Sequence, residues 1–214
     1  MATVNTLDNA ASPLTAVAGF LRLIERRAAI LAELQCGDQA HGDRALSAAI
    51  ESFTAAATST AQEAWPQLFW STLLQTPALS SEPVAPYWNG DFSTLARLDF
   101  GTRAVLLLRV IAGLDDTVAS AVFGVDQADY KQALQRGLPQ REDGSLDGEA
   151  WLALNDEARF MVKHMSPERV AAVARLRDAA VATRAAEFAP PRAGALPLAK
   201  PRWLGKLWSS VGLT

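Results

Sequence analysis

The stretch QADYKQALQR, residues 127–136, carries, besides Asp129, five polar side chains that a helix would turn toward solvent: Gln127, Lys131, Gln132, Gln135 and Arg136. Recognition of a nucleic acid is the chemistry open to them. A glutamine amide can pair with the edge of adenine, and lysine or arginine can neutralise a phosphate. The plainer reading is a solvated polar face, and residue type alone leaves both open. Arg103 and Arg109, upstream, admit the same two readings.

Other reactive types are scarce. Cys36, His41 and His164 are the soft metal ligands, and a structural zinc site normally needs four, so no metal is expected. Asp115-Asp116 and Glu142-Asp143 are paired acids at turn or cap positions, where negative charge favours a helix N-terminus. No nucleophile or general base accompanies them. A Gly-rich phosphate loop, a Ser-His-Asp set and a Cys-His arrangement are all missing. Neither an enzyme nor a cofactor is expected.

A second group lies near the end of the chain. KPRWLGKLWSS joins Lys200, Arg202 and Lys206 to Trp203, Leu204, Leu207 and Trp208. As a short helix it would set tryptophans and leucines opposite lysines. Such a segment suits an anionic membrane surface, an acidic partner or the acidic front of the same chain. A tail with little packed structure is the bland alternative.

The elements that must position these residues are helical. Half of the 214 residues are apolar, with Ala and Leu dominant and strand formers sparse, so an all-α fold is expected. The formal net charge of −3 excludes a broadly basic nucleic-acid coat. Charge is uneven: residues 1–90 sum to −4, 91–140 to −1 and 141–214 to +2. One cysteine forbids an internal disulfide, and neither a secretory signal nor a long apolar span is evident. A cytoplasmic protein is expected.

Apolar spacing predicts a first helix after Pro13, with Val17, Phe20, Leu21, Ile24, Ala28 and Leu31 on one face. QCGDQAHGDR, with two glycines, should break it. A second helix is expected from about Arg44 to Ala57. A third begins at AWPQLFWSTLLQ, where Pro66 suits the first turn and Trp65 and Trp70 suit a core. These three make a front bundle over residues 14–76. Residues 77–91, rich in Pro and Ser, read as a linker. A second unit spans 92–138, a helical pair 148–188, and a basic-aromatic tail 189–214.

The second unit has the parts of a helix-turn-helix. FGTRAVLLLRVIAG is a helix closed by Gly113. DDTVASAVFG is a short helix with Val118 and Val122 inward, Phe123 a further candidate for that face, and Gly124 at the positive φ of the turn. Val125 should plug the angle, Asp126 should cap the next helix with Asp129 in the capping-box position, and Tyr130, Ala133 and Leu134 should face inward.

TRAVLLLRVIAGLDDTVASAVFGVDQADYKQALQR resembles the C-terminal, −35-reading region of extracytoplasmic-function sigma factors of bacterial RNA polymerase. Arg103, the run Val105–Arg109, Gly113-Leu114, Gly124-Val125 and Tyr130-Lys131 carry the likeness without a gap. GDQAHGDRALSAAIESF and WPQLFWSTLL resemble, more loosely, the family's polymerase-binding and −10 region. The resemblance implies two small helical domains, like sigma regions 2 and 4, followed by a C-terminal helical extension. It also implies RNA polymerase core and promoter DNA as partners, an anti-sigma protein as regulator, and Gln127, Lys131, Gln132, Gln135 and Arg136 on DNA. Against the family's basic recognition helix stand Asp115, Asp116, Asp126 and Asp129, with only Lys131 and Arg136 to balance them over residues 115–136. The alternative is an adaptor that keeps the sigma-like shape and binds proteins, at a membrane surface or elsewhere, but not DNA.

Overall fold

The computed structural model describes residues 5–80 and 85–188, with side chains from Pro13 onward. It is all-α: the described residues contain no strand, only an isolated bridge between Gln140 and Leu146. No helix among them is long and apolar enough to cross a membrane.

Helix α1 runs Asn5–Cys36 and α2 runs Gln39–Ala57. Both begin earlier than the apolar spacing predicts. Pro13 lies inside α1, although proline removes one backbone donor from a helix interior and crowds the preceding turn. Asp38 starts α2 by accepting from the His41 N–H at 2.6 Å. Of the two glycines expected to break the chain, only Gly37 does so, at φ +70°. Gly42 sits inside α2, where a Cβ would stand 2.6 Å from the Glu33 backbone nitrogen. It is the point of close approach between α1 and α2.

Helix α3, Trp65–Leu74, starts on Pro66 as expected and buries Trp65, Phe69, Trp70, Leu73 and Leu74. Its rings meet those of α1 and α2 edge to face: Phe53 lies 6.0 Å from Trp65 at 87° and 5.4 Å from Phe69 at 83°. Each such pair adds about 0.5–1.5 kcal/mol to the burial itself. The tryptophans are core.

A short helix α4, Pro77–Ser80, follows, with Leu79 buried. Further on, the Tyr87 N–H donates to the Gly37 carbonyl at 2.9 Å, and Trp88 Nε1 donates to the Leu34 carbonyl at 2.7 Å. A 3₁₀ segment over Gly90–Arg97 buries Phe92 and Leu95. Helix α5, Phe100–Leu107, continues into a π-helical turn at Leu108–Ala112 that ends on Gly113 at φ +69°. Helices α6, Asp116–Phe123, and α7, Gln127–Gly137, form the next pair. Helix α8 is Gly148–Lys163 and α9 is Pro167–Phe188. Ser166 caps α9, accepting from the Arg169 N–H at 3.2 Å.

Beside a smaller cluster of Val105, Ala119 and Tyr130 that anchors α7, one contiguous set of buried side chains joins most of the helices. It includes Leu21 of α1, Phe53 of α2, Phe69 of α3, Leu107 of α5, Val122 of α6, Leu154 of α8 and Val173 of α9.

Candidate nucleic-acid or partner interface

Local chemistry builds the α6–α7 pair. Asp115 accepts from the Val118 N–H at 2.9 Å and opens α6. Gly124, at φ +68°, closes it in the left-handed region. Asp126 accepts from the Asp129 N–H at 2.8 Å and opens α7. Tyr130 is the buried anchor, 1 % exposed, stacked on Phe123 with ring centroids 6.4 Å apart. Burial, and then the charge of Asp116, push its hydroxyl up to about 12.

Two expectations for this pair are corrected. Val125 does not plug the angle between the helices but is 42 % exposed. The half-buried Phe123 packs there with Tyr130 instead, because a ring spans the gap that a short branched side chain leaves. Val118 is only half-buried, since the α6 face that turns inward is centred on Ala119 and Val122.

Gln127, Lys131, Gln132, Gln135 and Arg136 all lie exposed on α7. Gln127 Nε2 donates to Thr117 Oγ1 at 2.9 Å, tying α7 back to α6. Asp116 stands between two cations, 3.7 Å from Lys131 Nζ and 3.7 Å from Arg109 Nη1. Such half-exposed pairs contribute about 0–1 kcal/mol, too little to hold Lys131 away from a stronger anion. Lys200, Arg202, Trp203, Lys206 and Trp208 lie outside the described residues.

Arg103 is neither a phosphate ligand nor a solvated charge. Its guanidinium donates to the carbonyls of Leu95, Gln35 and Leu98 at 3.0, 2.7 and 2.7 Å, and it lies 4.5 Å above the Trp88 ring. Arginine's fork of donors clasps three chain segments here, a role no single spacing announces. Arg27 acts similarly, donating to the Ala112 carbonyl at 2.8 Å where the π-turn ends. Gln67 of α3 donates to the Ala121 carbonyl at 3.0 Å and pins α6 to the front helices. The Arg27 and Gln67 contacts join residues 85 and 54 positions apart, and periodicity holds no trace of them.

Among the described residues, no cluster of three or more His, Cys, Asp or Glu is placed to hold a metal. The buried Cys36 thiol donates to the Ala32 carbonyl at 3.0 Å, and burial pushes its pKa up. The His164 ring packs on Phe160, with centroids 4.4 Å apart.

The interface therefore offers polar amides and two exposed cations on one helix. Its helix N-termini, normally ready anion sites, are occupied by the chain's own carboxylates. No protein-family model matches the chain, and no curated protein or solved structure matches it either.

Proposed function

We propose that the chain is a sigma-factor-like helical regulator of transcription whose helix-turn-helix works through protein contacts rather than by reading promoter DNA. The observation that carries this reading is the filling of both helix N-termini by Asp115 and Asp126. A DNA-docked helix-turn-helix meets phosphates at such ends, and a carboxylate there repels them. Over residues 115–136 four aspartates face two cations, so phosphate neutralisation has little to draw on. The resemblance over residues 102–136 supports RNA polymerase as the partner. The net charge of −4 over residues 1–90 suits a basic protein surface better than a nucleic acid.

One observation favours a second reading, that of promoter recognition: Gln127, Lys131, Gln132, Gln135 and Arg136 are all solvent-facing on α7. The two readings separate in one experiment. The full chain is titrated against bacterial core polymerase and against fluorescent promoter DNA, at about 50 mM and about 200 mM salt. Protein-contact action gives binding to polymerase and none to DNA at either salt. DNA binding at low salt that Lys131→Ala and Arg136→Ala weaken returns the promoter reading. Absence of binding to both overturns both.

A further inference from the structure

We propose that the cleft between α1, α8 and α9 is the docking site for the chain's own segment Lys200–Trp208. The cleft encloses about 530 Å³, within the usual range for a small-ligand pocket of about 300–1,000 Å³. Its polar lining is acidic: Glu33 from α1, Asp43 from α2, Glu157 from α8 and Glu168 from α9. Phe160 and Met161 supply apolar wall.

Arg169 is the sole lysine or arginine in that lining, and it is already engaged. Its guanidinium pairs with Asp43 and, at 3.4 Å, with Glu33. Among the described residues Glu157 and Glu168 form no ion pair, and although Glu168 bonds to the Ser166 side chain, both carboxylates remain for an incoming cation. Phe160 is 56 % exposed, with His164 against its ring. An aromatic face at an acidic rim fits a ligand that brings both cations and rings.

The chain carries such a ligand. Lys200, Arg202 and Lys206 alternate with Trp203 and Trp208, and residues 189–214 contain no acid. Chain length allows the return. From Phe188, where α9 ends, back to Arg169 is about 29 Å along the helix at 1.5 Å per residue. Residues 189–199 can span about 36 Å at 3.3 Å per residue. Lys200 reaches the mouth of the cleft by running back along α9, and a linker a few residues shorter would fail to bring it there.

Carbodiimide cross-linking tests this on the full chain, because it joins an amine to a carboxylate only where the two already touch. Equal parts ¹⁵N-labelled and unlabelled protein are mixed, and the monomer fraction is read by mass spectrometry. The expected links join Lys200 or Lys206 to Glu157 or Glu168 within one isotopic chain. They should clearly exceed links to the exposed Glu51, Glu63 and Asp91. Trp203→Ala with Trp208→Ala, and separately Phe160→Ala, should cut the yield about threefold, the size of a lost ring contact. Far-ultraviolet circular dichroism should stay unchanged. Mixed-isotope links mean that a second copy occupies the cleft, and they overturn the proposal. So do links spread evenly over surface acids, no links, or a yield that the tryptophan variants leave unaltered.

Discussion

Arg177 of α9 holds both carboxylate oxygens of Glu25 of α1, with Nη1 2.9 Å from Oε1 and 2.7 Å from Oε2, and both side chains are less than a tenth exposed. The contact bolts the last helix to the first across 152 positions. Burial pushes the Glu25 carboxyl up, and the facing guanidinium pulls it back. Removing one partner strands the other charge in a dry site. Arg177→Met should therefore cost about 3–5 kcal/mol in urea unfolding. The double variant Arg177→Met with Glu25→Leu should recover most of that loss, since no buried charge is left unpaired and only the exposed Asp178 loses a partner.

Tyr130 makes stability sensitive to alkaline pH. Its hydroxyl titrates near 10 in the unfolded chain and at about 12 in the folded one. Between those values the folded state binds more protons, so stability is complete below pH 10 and falls as pH rises through the window. The loss is on the order of 2–3 kcal/mol. Tyr130→Phe should remove this component. At neutral pH the same change should cost under about 1 kcal/mol, because Oη lies a long 3.5 Å from the Val105 carbonyl. Urea melts at neutral and alkaline pH measure both effects.

Two glycines separate packing from backbone conformation. Gly42→Ala puts a methyl group 2.6 Å from the Glu33 backbone nitrogen, which no side-chain rotation relieves. It should cost about 1–3 kcal/mol or more by forcing α1 and α2 apart. Gly124→Ala meets open space but keeps φ at +68°, so about 1 kcal/mol is expected from conformation alone. Thermal unfolding of the two variants gives the order.

If carboxylates are what keep α7 off DNA, their removal should create binding. Asp126→Ser keeps a cap without its charge, and Asp129→Lys adds a cation in the first turn. Together they should raise affinity for duplex DNA about tenfold near 50 mM salt, with the gain lost near 200 mM. Fluorescence anisotropy reads this directly. A wild-type chain that already binds as tightly as the variant would remove the basis of the protein-contact reading.

Much of the local architecture was legible in the sequence. The inward faces of α1 and α3, the cap Asp126, and the turns at Gly113 and Gly124 depend on residues within a few positions of one another. The exposed face of α7 followed from the same periodicity. Glu25 was not legible: its place off the apolar stripe of α1 reads as solvated, yet α9 covers it. Nor was Arg103, whose three carbonyl partners come from the 3₁₀ segment, the residue after it and α1. Val125 failed for a related reason, since turn spacing does not say which neighbour is large enough to fill the angle.

By itself the sequence determined the all-α class, the capped ends of α6 and α7 and the polar row from Gln127 to Arg136, because periodicity and capping act over one or two turns. The tertiary structure alone decided which charges are spent and which face outward. It turned Arg103, Arg27 and Arg177 into internal fasteners, and it left Lys131 and Arg136 at the surface, Lys131 paired with Asp116. A charged side chain takes its role from whatever the fold brings within hydrogen-bonding distance. For Arg27 with Ala112, Arg103 with Gln35 and Arg177 with Glu25, those partners lie tens of residues away.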